Sequence, residues 1–258
     1  MSTLAYTVSD STTMLRRNLR RLRRYPSLTL LLVGMPIVFL LLFVYVFGGQ
    51  LGGNEGRAGY LNYVTPGILL MTVAAAVQGT AIVVAMDMTG GIIDRFRTMA
   101  IARSAVLTGH VLASLMQTLL SLAIVLGVAF ALGFRASAGP LDWLGAVGLL
   151  ALFAFALIWL ATALGLAAKS VETASNTPMF LTLLPFLGSG FVLLASLPTG
   201  LRQFAEYQPF TPATETLRGL LTGTPIGHNA VWAVAWSVGI AVASFLWAKR
   251  LYATRRAA

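Results

Sequence analysis

The sequence predicts an all-α polytopic membrane protein, and three observations carry that prediction. Hydrophobic residues fill 57% of the 258 positions and charged residues only 10%, whereas a soluble domain is roughly a quarter charged. Too few charges exist to cover a water-facing surface. Apolar runs recur at the length of about 20 residues that a helix needs to cross a bilayer core. The charge is lopsided, with 18 Lys+Arg against 8 Asp+Glu and a formal net charge of +10. A basic chain suggests nucleic acid, but in a membrane protein basic residues first mark the cytoplasmic loops. Cysteine is absent, which excludes disulfides, thiolate metal sites and cysteine nucleophiles. His110 and His228 are the only histidines, too few for a histidine metal cluster within one chain.

Residues 11–25 come first. Within Met14–Tyr25, Leu15, Leu19 and Leu22 recur at i, i+4, i+7, while Arg16, Arg17, Arg20, Arg21, Arg23 and Arg24 take the other faces. This pattern fits a basic amphipathic helix lying in the membrane interface with its arginines near lipid phosphates. A plain topology signal fits it too. Pro26 ends the segment. The run 28–47 is uncharged and too long for a signal-peptide core, and no small-residue cleavage pattern follows, so it is expected to be a retained anchor.

Five more spans are expected at 64–86, 105–134, 143–168, 178–197 and 230–248. The third is long enough to tilt or extend into water. Ser104 is its expected N-cap. Pro185, Gly188 and Gly190 interrupt the fifth, either to permit bending or to allow close helix packing. Gln78, Gln117, Thr118 and Ser121 can hydrogen-bond a substrate or a neighbouring helix. His110 is expected to face headgroups at the inner end of the third span.

Six spans place both termini on one side. With the N-terminus in the cytoplasm, the outer loops hold only Arg57, Arg135, Arg202 and Arg218 of the basic residues, balanced by Glu55, Asp142, Glu206 and Glu215. The whole formal charge of +10 then lies on the inner side, as positive-inside orientation requires. Nucleic acid becomes an unnecessary partner.

Two connecting segments carry patterns of their own. In the loop 87–104, Gly90 and Gly91 break the preceding helix. Ile92, Phe96 and Met99 then recur at i, i+4, i+7, opposite Asp94, Arg95 and Arg97. A short amphipathic helix of this kind either rests on lipid or docks into a groove of another protein. In the outer segment 198–229, Thr211-Pro212 is a helix start. Ala213, Leu217, Leu220 and Leu221 form an apolar face, and Gly223 is a stop. Leu201, Phe204 and Ala205 suggest a shorter helix before it.

The run GGIIDRFRTMAIARSAVLTGHVLA resembles the cytoplasmic loop of ABC transporter type-2 permeases, especially those of the daunorubicin-resistance type. So do RRYPSLTLLLVGMPIVFLLLFVYVFGG, YLNYVTPGILLM and FLGSGFVLLASLPTGLRQFAEYQPFTPATETLRGLL, in the family's order. Met88-Thr89 departs from the acidic or basic residue common there. The resemblance implies a permease subunit of an exporter for a hydrophobic or amphipathic drug, antibiotic or lipid, in the cell's inner membrane. It implies a second permease, identical or homologous, and two nucleotide-binding ATPase subunits that hold ATP and magnesium. It makes 87–104 a coupling helix, with Asp94, Arg95, Phe96, Arg97 and Arg103 facing the ATPase. It makes the outer helices re-entrant, with Phe204, Tyr207, Pro209, Phe210, Thr211 and Glu215 at an outer gate.

The residues agree with this division of labour. A P-loop needs a lysine after glycine, and neither Lys169 nor Lys249, the only lysines, follows one. An ion-driven carrier usually needs an ionisable residue inside the membrane, and the six expected spans hold none away from their ends. An intramembrane enzyme needs a nucleophile–base pair, paired acids or a metal site, and no such pattern occurs. A non-transporting membrane scaffold fits the composition as well as a permease does.

Topology is testable in this cysteine-free chain. Single cysteines at Gly56, Gly139 and Thr222 should label from outside the cell, and those at Ser11 and Ala257 should not. Outside labelling of either terminal site overturns the orientation.

Overall fold

A computed structural model describes residues 26–53, 56–89 and 103–254, without the side chains of 26–32, 51, 103–106 and 253. The expected interface helix with its six arginines lies outside the described residues. So do Asp94, Arg95, Phe96 and Arg97.

Every regular element among the described residues is helical. Helix α1 runs over Pro26–Leu42, widens into a π-helical turn at Phe43–Phe47, and is followed by a short helix α2 at Gly48–Leu51. Helices α3 (Gly56–Thr89), α4 (Arg103–Ala131), α5 (Pro140–Ala167) and α10 (Asn229–Thr254) are long. Together with Val33–Gln50 they make five helices long and apolar enough to cross a bilayer. Spans one to four and six of the sequence reading therefore exist, mostly with a turn or more added. Ser104 is not a cap, because α4 begins one residue earlier at Arg103. At the start of α5 the N-cap is Gly139, whose N–H is accepted by Asp142 at 2.9 Å.

The expected fifth span is different. No continuous helix covers 178–197. The chain makes α6 (Val171–Asn176), α7 (Met179–Leu183), a 3-10 turn at Leu184–Leu187 and another at Leu194–Ser196. Pro178 and Pro185 lack the N–H that a helix interior requires, and the extended backbone of Gly188 (φ −114°, ψ −172°) closes the first 3-10 turn. Two shorter helices follow, α8 (Thr199–Tyr207) and α9 (Phe210–Thr222). Gly223, at φ +75°, ends α9 as expected. A left-handed backbone of this kind favours glycine.

Helix α3 is the axis of the bundle. Its length from Tyr60 to Ala85 is buried on most sides by α1, α4, α5, α9 and the broken segment. The broken segment climbs beside α3 from one end to the other. Ala174 packs with Ala85 and Ala168, Gln78 donates to the Ser175 carbonyl at 3.2 Å, and Tyr60 donates to the Phe191 carbonyl at 3.3 Å. Tyr60 to Ala85 is about 37 Å along a helix, so this interrupted chain covers the depth of a full span. By contrast, α10 turns most of its apolar surface outward.

The two chains touch at glycines. A Cβ on Gly67 would lie 2.5 Å from the Gly190 carbonyl oxygen and 2.7 Å from its Cα. Backbone cannot yield like a flexible side chain, so overpacking here costs about 1–3 kcal/mol. Gly67→Ala should lower the thermal midpoint of the detergent-purified protein. Gly127→Ala, where the added carbon meets nothing within 4 Å, should leave it at or above the wild-type value.

Candidate functional site

The break in the fifth segment frees backbone carbonyls inside an apolar bundle. An unpaired buried polar group costs several kcal/mol, so the question is which donors reach them. Tyr60, Tyr63 and Gly67 recur at i, i+3, i+7 and share one face of α3. The Tyr63 hydroxyl donates to the Ser189 carbonyl at 3.0 Å. Gln208, between α8 and α9, donates to the Leu184 carbonyl at 3.0 Å.

The strongest donor is Arg218 on α9, only 7% exposed. Its Nη2 donates to the Ser189 carbonyl at 2.7 Å and to the Tyr63 carbonyl at 3.2 Å. Its Nη1 donates to Glu215 at 2.5 Å. Its guanidinium carbon sits 4.1 Å from the centroid of the Tyr63 ring, a favourable cation–π placement. One planar cation therefore ties together α9, α3 and the break. The fork of an arginine allows this; the point charge of a lysine would not.

Glycine makes room for the joint. A Cβ at Gly188 would meet Gln208 Nε2 at 2.6 Å and Thr211 Oγ1 at 2.8 Å. Aromatic rings brace the other side. Phe186 and Phe191 stack at 4.8 Å, Phe43 of the π-helical turn lies 4.8 Å from Phe191, and Phe39 lies 5.4 Å from Phe186.

The six residues expected at an outer gate do not form one cluster. Glu215 pairs with Arg218. Thr211 is buried and accepts from the Ser189 N–H at 3.4 Å; it is not the helix cap, a position taken by Pro209. Phe210 is buried edge-on against Phe153 of α5, with centroids 5.1 Å apart. Phe204 and Tyr207 face outward, 50% and 68% exposed, while the Tyr207 carbonyl accepts from Trp236 at 3.1 Å.

Of the other polar candidates, Gln78 bonds the broken segment, and Thr118 and Ser121 bond carbonyls of their own helix. Arg103 opens α4. His110 does not face headgroups. It is 4% exposed, with Nε2 3.1 Å from Oδ2 of a buried Asp87. Arg218, Tyr63, Ser189 and Gln208 were absent from the sequence-based site. The available signal was Glu215 and Arg218 at i, i+3 on a helix otherwise lined by Leu217, Leu220 and Leu221.

Long apolar helices around a buried α3, a broken segment of equal depth and a buried arginine joining it to α9 define a polytopic membrane protein whose polar chemistry positions helices. The chain belongs to the ABC-2 type transporter family, whose profile matches residues 10–222. It is 31% identical over 237 residues to the "Daunorubicin resistance ABC transporter permease protein DrrB1" of Streptomyces coeruleorubidus, covering 92% of this chain and 80% of that protein. It is 24% identical to the "Probable doxorubicin resistance ABC transporter permease protein DrrC" of Mycobacterium tuberculosis, covering 89% and 84%. It is a membrane permease subunit without an ATPase motif of its own, a kind of subunit that works with separate ATP-binding subunits.

Stability should report the joint. Arg218→Gln leaves Glu215 without its cation and withdraws a charged donor from two carbonyls, a loss of about 2–4 kcal/mol. Glu215→Gln should cost less, because its amide oxygen can still accept from Arg218 and the position is 30% exposed. The comparison is thermal unfolding of both variants in detergent. Equal shifts would mean the ion pair matters and the carbonyl bonds do not.

Proposed function

We propose that this chain is half of the membrane pathway of an ATP-driven exporter of hydrophobic or amphipathic compounds: drugs, antibiotics or lipids. The observation that carries this reading is the match to a daunorubicin-resistance permease along 92% of the chain. A second permease, identical or homologous, completes the pathway. Two ATPase subunits bind ATP and magnesium on the cytoplasmic side of the inner membrane, where both termini lie.

The fold supports the details. The broken segment acts as the fifth of six crossings, since it matches the depth of α3. Helix α9 acts as a re-entrant helix. Its first residue, Phe210, meets Phe153, about 20 Å along α5 from Pro140, and its last turn returns to the loop before α5, where the Leu221 carbonyl accepts the Ser137 N–H at 2.9 Å. Leu217 and Leu221 are buried by protein, so shielding of these two from thiol reagents does not by itself report lipid. Spin labels at Phe204 and Tyr207 do. They should collide with oxygen more than with a water-soluble nickel chelate, and the reverse would place this region in water.

Segment 87–104 transmits ATPase closure, with Phe96 as the buried anchor and Asp94, Arg95, Arg97 and Arg103 around it. Truncating such an anchor costs about 2 kcal/mol, roughly thirtyfold in affinity. Phe96→Ala, coexpressed with its ATPase, should co-purify less ATPase or hydrolyse ATP without export. Export is read as ATP-dependent daunorubicin uptake into inverted vesicles. Uptake indifferent to ATP in the wild type refutes the exporter; an unchanged Phe96→Ala moves coupling elsewhere.

A further inference from the structure

At the opposite end of α3 from Arg218, Asp87 and His110 form a buried carboxylate–imidazole contact of 3.1 Å, with side chains 2% and 5% exposed. Asp87 lies in the last turn of α3, which ends at Thr89, and His110 lies two turns into α4, which begins at Arg103. The pair therefore bridges the two helices at the root of the segment that connects them. Apolar side chains would fill this space with no desolvation of a carboxylate, so a buried polar pair adds orientation rather than bulk attraction.

The other side of α3 is fixed at the same level. A Cβ on Gly165 of α5 would lie 2.7 Å from the Ala81 carbonyl oxygen and 2.9 Å from Val84 Cβ, and Ala85 packs with Ala168 and Ala174. At this level α3 is thus held to α5 by close backbone approach, and to α4 by apolar packing together with the Asp87–His110 contact. Were the contact absent, α4 could slide or rotate against α3 when the connecting segment is pushed.

We propose that Asp87 and His110 are positioning residues for energy coupling. They make the ends of α3 and α4 respond as one body, so that movement of 87–104 reaches the pathway instead of being absorbed at the loop root. The proposal rests on the coupling role given above to that segment.

The test uses the complete complex in vesicles and reads transport per ATP hydrolysed. Asp87→Asn combined with His110→Leu removes the contact and leaves no stranded carboxylate. It should insert, bind ATPase and hydrolyse ATP at close to wild-type levels, while transport per ATP falls roughly tenfold, within the range of coupling effects. His110→Gln, which offers an amide N–H to the same carboxylate, should restore most of that ratio. If Phe96→Ala uncouples transport but the double variant keeps the wild-type ratio, the pair only fills space and the proposal is overturned. If Phe96→Ala changes nothing, the coupling role of the segment fails and the proposal falls with it. Should the double variant not accumulate, cysteines at 87 and 110 serve instead. Low transport that recovers on bridging them with a short bifunctional thiol reagent supports the proposal, and full transport before bridging overturns it.

Discussion

Backbone hydrogen bonding in an apolar medium is the constraint on which this architecture depends. A continuous helix satisfies its own carbonyls; an interrupted one does not, and lipid offers no donors. The chain from Val171 to Ser196 is interrupted by Pro178, Pro185 and Gly188, yet it covers the depth of α3. It can do so because Tyr60, Tyr63, Gln208 and Arg218 bring donors to the carbonyls of Phe191, Ser189 and Leu184. The glycine contact at Gly67–Gly190, the burial of Arg218 and the packing of α9 against α3 all serve this one requirement.

The requirement also gives the bundle two unlike ends. Near Tyr63 a cation on a third helix joins α3 to the break through several bonds. Near Asp87 the contact with His110 joins α3 to α4, and glycine packing joins it to α5. Both sets act on α3, which is buried along most of its length. A rigid central helix gripped at each end by polar contacts is suited to carry displacement, because packed interiors deform little and shift between discrete arrangements.

Much of this was legible in the sequence. Composition and run length identify α1, α3, α4, α5 and α10, because for these helices hydropathy and backbone continuity coincide. The pattern of Leu217, Leu220 and Leu221 with Gly223 located α9. Hydropathy misleads at 178–197, since it weighs side chains and is blind to whether the backbone can stay helical. Pro185, Gly188 and Gly190 marked the interruption, but the donors that permit it lie as far away as Tyr60, on the far side of two helices in sequence. Arg218 counted as a loop charge, and its burial follows from tertiary contacts with Tyr63 and Ser189 that no local window contains. Asp87 and His110 fell at expected span ends for the same reason: their meeting belongs to the packing of α3 on α4, not to either helix alone.

The dependence of the break on Arg218 has a consequence for biogenesis. The ribosome delivers residues 171–196 before residue 218, so the segment is made before its cationic donor exists. Among the described residues, the side chains that donate to the Ser189 carbonyl are Tyr63 and Arg218, so until α9 has been made and folded back the Tyr63 hydroxyl serves it alone. During synthesis the break therefore exists for a time without the charged side chain that completes its joint. Closure of the joint around Ser189 is then a late event that waits on sequence translated after the segment it holds.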